Sequence, residues 1–152
     1  MDISGEDSPP LLQLLPLVSE SGAYRLPPEL VDDLVECGTA LGLSCHRIDL
    51  RACRDPATLF ERIAQALAFP PWFGQNWDAL SDCLADLGWL GEAAGYVLVF
   101  DHAQDLRREA QDGYDTLIEI LDEAADGWRE VDLPFWSFLC EHETAPTNLP
   151  SR

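Results

Sequence analysis

Three aspartates recur every four residues in the segment NWDALSDCLADL, at Asp78, Asp82 and Asp86. The apolar residues of this segment have helical spacing, which predicts a helix that Asn76 caps and that runs through Leu87. Residues four apart are neighbours on a helix surface, so the carboxylates lie in one line and disfavour the helix by about 0.2–0.5 kcal/mol a pair. No basic residue of the segment offsets them. The line therefore predicts a negative surface that meets positive charge; a solvated helix face is the alternative.

The turn that precedes this helix, FPPWFGQ, contains Trp72, Phe73 and Gly74 directly after two prolines. Large aromatic side chains on a rigid turn beside a charged helix suit a protein-binding hot spot. The alternative is that the rings cap the hydrophobic core. For Phe73 this alternative is as well supported as the hot-spot interpretation.

The overall charge favours a basic partner. The 152 residues include 28 acidic and 9 basic side chains, a net charge of −19, and every basic residue is an arginine. Such a charge repels nucleic-acid phosphates and anionic membrane surfaces, so the sequence predicts neither as a partner. Because 47% of the residues are hydrophobic, the chain can still bury a core, and its length predicts one domain with a modest extension.

Two other chemistries are weaker interpretations. Asp78 and Asp82 resemble an acid/base pair or magnesium ligands, but no histidine or nucleophile motif lies near them, so we expect no catalysis. Cys45-His46 and Cys140-Glu141-His142 are candidate zinc ligands if they meet across neighbouring strands. Zinc sites usually contain closely spaced cysteine pairs, which this sequence lacks, so we expect buried thiols and no metal or cofactor.

The five cysteines are odd in number and lack close pairing, and the first 25 residues contain no signal-like segment. No apolar run approaches the length of a membrane span. These features predict a reduced, cytoplasmic protein with free thiols.

Alternating strand-like and helix-like segments position the acidic helix. Predicted strands lie at 23–26, 43–50, 95–100 and 134–140, with at best an edge strand at 11–18, and predicted helices at 27–41, 56–67, 77–87 and 112–128. Strands that alternate with helices indicate βαβ units and a mainly parallel sheet.

The segment PPWFGQNWDALSDCL (70–84) resembles the signature of the barstar family, whose members inhibit barnase-type ribonucleases. The family pattern has an aromatic pair, Gly, a variable residue, Asn, an apolar residue, Asp-Ala-Leu, one residue and Asp-Cys-Leu. The order of elements from Leu43 to Cys140 also resembles that family, and the first 42 residues lie outside the resemblance.

The resemblance implies an α/β fold: a small, mainly parallel, three-stranded sheet packed with helices, plus an N-terminal strand and helix extension. We expect the extension at 1–42 to pack on a main domain at 43–143, followed by a flexible tail at 144–152. The resemblance also implies inhibition of a barnase-type, extracellular-type ribonuclease, by a chain that is monomeric when free. It makes Asp82 the central contact, supported by Asp78, with Glu123 contributing from a later helix. The expected partner-binding residues are Trp72, Phe73, Gly74, Asn76, Asp78, Ser81, Asp82, Asp86 and Glu123.

Two departures from the family pattern bear on the partner. Ser81 stands where the family has a tryptophan between its two helix aspartates. The link to the next strand is longer, which leaves open whether Trp89 contributes to the interface. The alternative function is therefore a binding module of this fold for another basic partner, either a regulator or a toxin that is not a ribonuclease.

Overall fold

The computed structural model describes residues 11–71 and 73–142 of the protein. Within these ranges no helix is long and apolar enough to cross a membrane. The predicted tail at 144–152 and the candidate contact Trp72 lie outside the described residues. What the sequence predicts for them therefore stays a prediction.

In the part of the chain that the structure describes, four parallel strands form a single sheet: β1 (Ala23–Arg25), β2 (Ser44–Asp49), β3 (Tyr96–Asp101) and β4 (Phe135–Leu139). Their order across the sheet is β1-β4-β3-β2, with Ala23 opposite Ser137 where β1 joins β4. The expectation of a mainly parallel α/β fold is confirmed, but the expected three-stranded sheet is one strand short, because the strand expected at 23–26 in the extension joins it. β4 has a hydrogen-bonded neighbour on each side, β3 from the main domain and β1 from the extension.

Six helices of the described ranges pack against the two faces of this sheet. They are α1 (Leu11–Leu14), α2 (Val31–Ala40), α3 (Pro56–Ala66), α4 (Trp77–Asp86), α5 (Gln104–Glu109) and α6 (Gln111–Arg129). Short 3-10 turns occur at Val18–Glu20, Pro28–Leu30 and Gly88–Leu90.

A separate hydrophobic core lies on each face of the sheet. On one face α3, α4 and α6 pack against Leu98 and Phe100 of β3. On the other face Leu15 and α2 pack against Val97 and Val99 of the same strand. Covering both faces explains why β3 is one continuous buried run rather than an alternating one.

The expected edge strand at 11–18 is wrong. Leu11–Leu14 is helical, and the chain then crosses the sheet face, where Leu15 is fully buried. The Leu15 carbonyl accepts a 2.9 Å hydrogen bond from the Trp136 indole of β4. Pro16 has no N–H to donate to a ladder, so this segment is anchored by a buried side chain and an indole rather than by strand pairing.

A side-chain cap fixes where α3 begins. The Asp55 carboxylate accepts a hydrogen bond from the Thr58 N–H at 2.8 Å, with Pro56 as the first residue of α3. The predicted capping of this helix is therefore confirmed. The helix α5 and the turn Gly88–Leu90 were not predicted; both are too short to show a helical period.

Candidate functional site

The helix α4 is held in place at both ends. The Asn76 side chain accepts a hydrogen bond from the Ala79 N–H at 2.8 Å, which confirms the predicted cap. The helix ends at Leu87, which adopts a left-handed conformation with φ of 53° while its N–H bonds the Cys83 carbonyl. Because the Leu87 side chain is fully buried, core packing holds this end of the helix in position.

One face of α4 enters the core and the other presents carboxylates. Leu80 and Leu84 are buried, together with Cys83. The residues Asp78, Asp82 and Asp86, here called the aspartate ridge, are all exposed. The predicted line of acidic side chains is thus free to meet another molecule.

The aspartate ridge has no internal counter-charge among the described residues. No arginine of that part of the chain lies within salt-bridge distance of a ridge carboxylate or of Glu123. Elsewhere acids are paired: Asp101 with Arg47 at 3.0 Å, and Glu141 with Arg107 at 2.6 Å. No side-chain cation of the described residues therefore offsets the ridge, and only the Asp86 carboxylate among the three accepts a hydrogen bond, from the Gly88 N–H at 3.1 Å.

The Cys83 thiol lies directly beneath the ridge. Burial raises the pKa of Cys83, and the charges of Asp82 and Asp86 raise it further. The thiol is therefore kept in its neutral form, which suits a small core side chain rather than a nucleophile.

The turn before α4 packs partly into the core. The Phe73 ring meets those of Phe69 and Phe60 edge-on, with centroids 4.8 and 6.4 Å apart, and is half-buried. Gly74 and Asn76 are exposed, and the Asn76 amide donates a 3.3 Å hydrogen bond to the Gly74 carbonyl. Phe73 thus caps the core, as one of its two interpretations expected, while part of its ring stays accessible.

The helix α6 lies beside α4 and brings in the last predicted site residue. The Trp128 indole N–H donates a 2.8 Å hydrogen bond to the Leu84 carbonyl, joining the two helices. Glu123 is exposed on α6, and Ser81 is half-buried on the facing side of α4. Both line one depression, here called the α4–α6 groove, which is formed by Ser81, Ala85, Glu123, Ala124, Gly127, Trp128 and Val131.

The sequence prediction named only Ser81 and Glu123 among the groove residues. Ala85 and Gly127 are small side chains whose effect depends on what faces them, so a single sequence gives no signal for them. Trp128 did offer a signal, because a tryptophan in the last turn of an amphipathic helix indicates a contact with a neighbouring element.

Trp89 is used inside the fold. Its indole N–H donates a 2.8 Å hydrogen bond to the Leu67 carbonyl at the end of α3, and its ring meets Phe69 edge-on at 5.8 Å. The polar edge of this indole is therefore engaged with the chain itself.

The candidate zinc ligands do not meet. Cys45-His46 lies on β2 and Cys140-Glu141-His142 follows β4, and β3 separates these two strands. Among the described residues no cluster of three or more His, Cys, Asp or Glu side chains is arranged to hold a metal ion.

The carboxyl ends of β3 and β4 carry an unpredicted polar cluster. The rings of His102 and His142 stack with centroids 3.8 Å apart. Asp101, nearly buried, accepts from Arg47 through one oxygen, while its other oxygen lies 3.7 Å from the His142 ring. Parallel strands end at one edge of the sheet, so residues 40 positions apart become neighbours there.

Comparison with known proteins identifies one family. A sequence model of the family described as "Barstar (barnase inhibitor)" matches residues 43–140. No curated protein matches the chain. The matched range begins just before β2 and ends just after β4, so it includes the aspartate ridge, the α4–α6 groove and Glu123.

Proposed function

The chain belongs to the barstar family, and we propose that it inhibits a barnase-type ribonuclease by blocking the cationic active site. The observation that carries this proposal is the aspartate ridge: three exposed carboxylates in a line, with no arginine of the described chain paired to them.

The chemistry of the target explains why carboxylates suit this role. A ribonuclease holds RNA phosphates with arginine, lysine and histidine side chains, which form strong charge-assisted hydrogen bonds to any oxyanion. Carboxylates held at fixed positions occupy the places of phosphates without offering a bond to cleave. Asp82 lies in the middle of the ridge, one helical turn from Asp78 and one from Asp86, and is therefore proposed as the central contact.

Two further elements border the ridge. The turn with Trp72, Phe73 and Gly74 directly precedes α4 in the sequence, and its aromatic side chains are proposed to exclude water from the contact. Glu123 adds a carboxylate from α6, across the groove from Ser81. Asn76 contributes by fixing where the helix begins.

The net charge of −19 assists association from a distance. A strongly acidic inhibitor is drawn to a basic cleft, so the association rate is expected to fall as salt screens the field. The other acids contribute mainly to this steering and to solubility. In this proposal the protein binds the ribonuclease stoichiometrically as a monomer, with neither catalysis nor a cofactor.

Ser81 and the inward-turned Trp89 favour one alternative, a binding module for a different basic protein. These two positions change the contact surface relative to the family pattern, and the side chain that fits beside Ser81 differs accordingly. In both cases the aspartate ridge binds the cationic partner.

An inhibition titration against a purified barnase-type ribonuclease tests the proposal. We expect an inhibition constant of about 1 nM or lower, as in other enzyme–inhibitor pairs of standard interface size. Asp82→Ala is expected to weaken inhibition by about 2 kcal/mol or more while the fold persists, because a central anchor is removed.

Asp33→Ala is the matched control for the titration. Asp33 is an exposed helical aspartate on α2, over the opposite face of the sheet. Each variant loses one carboxylate, so Asp33→Ala and Asp82→Ala have the same net charge. Equal losses in the two variants would show that general charge, not the ridge, drives binding. No inhibition of any such ribonuclease at micromolar concentration would exclude the ribonuclease as target.

A further inference from the structure

The α4–α6 groove exists because its two walls carry small residues. Ser81 and Ala85 lie on α4, and Ala124 and Gly127 lie on α6, so the helices leave a depression of about 300 Å³ between them. A volume of this size admits one large side chain from another molecule. The groove is open at the surface, since Ala85 and Gly127 are both exposed.

The far wall of the groove is a rigid aromatic surface. The Trp128 indole is fixed by its hydrogen bond to the Leu84 carbonyl, and its ring centroid lies 5.0 Å from that of Tyr96. A ring fixed in this way loses little conformational freedom when another group packs on it, which favours binding.

The groove is mostly apolar although it lies on the protein surface, where few large hydrophobic residues of the described chain are exposed. Val131, at its end, is 61% exposed, and Leu17 is the other large hydrophobic residue of comparable exposure in the described chain. Trp128 and the alanines add further apolar area, whereas Ser81 and Glu123 are the polar members. An exposed apolar surface with a polar border is typical of a protein-binding site.

The charges around the groove define the surroundings of whatever fills it. Ser81 and Ala85 share a face of α4 with Asp78 and Asp82, because these four positions follow the i, i+3, i+4, i+7 spacing. Glu123 supplies a carboxylate from the opposite wall. The groove is therefore continuous with the aspartate ridge, and a side chain that enters it must be flanked by positive charge.

Building on the inhibitory role proposed above, we propose that the α4–α6 groove receives one apolar side chain, aromatic or branched aliphatic, from the ribonuclease. The partner presents this anchor among the basic residues that border its active site. The cations bind the ridge and Glu123, while the anchor packs on Trp128 and Val131. The groove thereby selects among basic ribonucleases, which the carboxylates alone attract without distinction.

The composition of the groove favours an apolar anchor over an arginine. A guanidinium has five N–H donors that need acceptors when water is displaced. The groove offers the Ser81 hydroxyl and the Glu123 carboxylate, at its border, and otherwise alanine, glycine, valine and indole surface. An apolar group leaves no donor unpaired there.

The first experiment needs no ribonuclease. The full-length ¹⁵N-labelled protein is titrated with benzyl alcohol and, separately, with butylguanidinium, an analogue of the arginine side chain. The indole N–H signal of Trp128 reports on the groove. We expect benzyl alcohol to shift this signal at millimolar concentration, as is usual for so small a ligand.

Two leucine substitutions provide the specificity control. Ala85→Leu fills the groove and is expected to abolish the shift. Ala40→Leu adds the same side chain at an exposed position of α2, over the opposite face of the sheet, and is expected to preserve it. A shift with butylguanidinium alone would replace the apolar anchor by an arginine, and no shift with either probe would overturn the inference.

The second experiment measures binding to a barnase-type ribonuclease. We expect Ala85→Leu to weaken affinity by about tenfold or more, as for blocking an anchor pocket, and Ala40→Leu by less than about twofold. Val131→Ser, at an exposed position that cannot disturb the core, is expected to weaken affinity in the same direction. Because the anchor is uncharged, these factors are expected to be the same at low and high salt.

The outcomes separate this inference from the proposed function. Wild-type affinity of Ala85→Leu for the ribonuclease would overturn the groove as an anchor site and leave inhibition intact. Binding of benzyl alcohol to a protein that inhibits no such ribonuclease would overturn the proposed target and support the groove's chemistry. A loss in Ala85→Leu that disappears at high salt would show that the groove binds a charged group.

Discussion

The indole nitrogen of Trp128 lies 2.8 Å from the Leu84 carbonyl oxygen and donates a hydrogen bond to it. The last carbonyls of an α-helix lack partners within the helix, and Leu84 provides one of these near the end of α4. A side chain of α6 thus completes α4, and the same contact sets Glu123 beside the aspartate ridge. One hydrogen bond thus stabilises the end of α4 and links it to the helix that carries Glu123.

Replacing Trp128 by Phe tests this link. Trp128→Phe keeps an aromatic ring but leaves the Leu84 carbonyl without its donor, so we expect the free energy of unfolding to fall by about 1–3 kcal/mol. We also expect a larger inhibition constant, because the hydrogen bond that holds α6, and with it Glu123, against α4 is lost. Chemical denaturation and an inhibition titration measure the two effects.

Trp89→Phe is the control for that substitution. It removes the corresponding hydrogen bond to the Leu67 carbonyl, so a comparable loss of stability is expected. Since this indole is bonded to the end of α3 and does not join α6 to α4, inhibition is expected to be unchanged. Equal losses of inhibition in both variants would mean that stability alone, not the position of α6, explains the effect.

Acid is expected to destabilise the fold through two histidines. Burial lowers the pKa of His46. Burial also lowers the pKa of His102, and the nearby His142 and Arg51 lower it further. The unfolded chain therefore binds these protons first, near a pKa of about 6.5, so this stability is present above that pH and is lost as pH falls through the folded values.

The comparison that isolates this effect is between variants at each pH. The double variant His46→Gln, His102→Gln is expected to show a flatter dependence of unfolding free energy between about pH 7 and 5 than the wild type. Glu141→Gln is the control: its hydrogen bonds to Arg107 lower the pKa of Glu141, so its contribution is lost only below about pH 4.3. Parallel curves for the double variant and wild type between pH 7 and 5 would contradict the prediction.

Two glycines are expected to respond oppositely to alanine. Gly95 has a φ of 156°, and a Cβ there would lie 2.7 Å from the Pro134 carbonyl oxygen, a backbone atom that accepts the Tyr96 N–H. Gly95→Ala is therefore expected to destabilise the protein by about 1–3 kcal/mol. Gly127 lies within α6, and a Cβ there meets nothing within 4 Å.

Gly127→Ala is thus expected to stabilise the protein by up to about 1 kcal/mol, through helix propensity. Thermal or chemical unfolding of both variants decides the matter. A stabilising Gly95→Ala would show that the approach of β3 to Pro134 relaxes easily.

The sequence predicted best where the signal is local. Asn76 as a cap, the period of Leu80 and Leu84, and the charge line beginning at Asp78 depend on neighbours within a few residues, and each lies where it was expected. The same holds for Asp55 at the start of α3. Such features survive folding because a helix fixes its own geometry.

Prediction failed where the outcome depends on distant partners. The apolar run around Leu15 predicts at best an edge strand, and no nearby residue indicates that its carbonyl accepts a hydrogen bond from Trp136, 121 positions later. The α4–α6 groove likewise depends on Ala85 facing Gly127, which no local pattern reveals. The sequence offered Glu123 only through the family resemblance, and its actual neighbour Ser81 emerges from the packing of two helices.

The placement of β1 has a consequence for aggregation of the protein. Without it β4, with the sequence FWSFL, would be a bare hydrophobic edge of the kind from which intermolecular β-aggregation grows. β1 covers that edge: the Ser137 N–H bonds the Gly22 carbonyl, and the Leu26 N–H bonds the Leu139 carbonyl.

The edge that β1 presents instead is short and partly occupied. β1 has only three residues, and the outward N–H of Ala23 is taken at 2.9 Å by the Asp122 carboxylate of α6. A further strand that tried to add there would have to displace a charged side chain. The N-terminal segment thus covers one side of a strand of five buried residues, a side that would otherwise be open to pairing with another molecule.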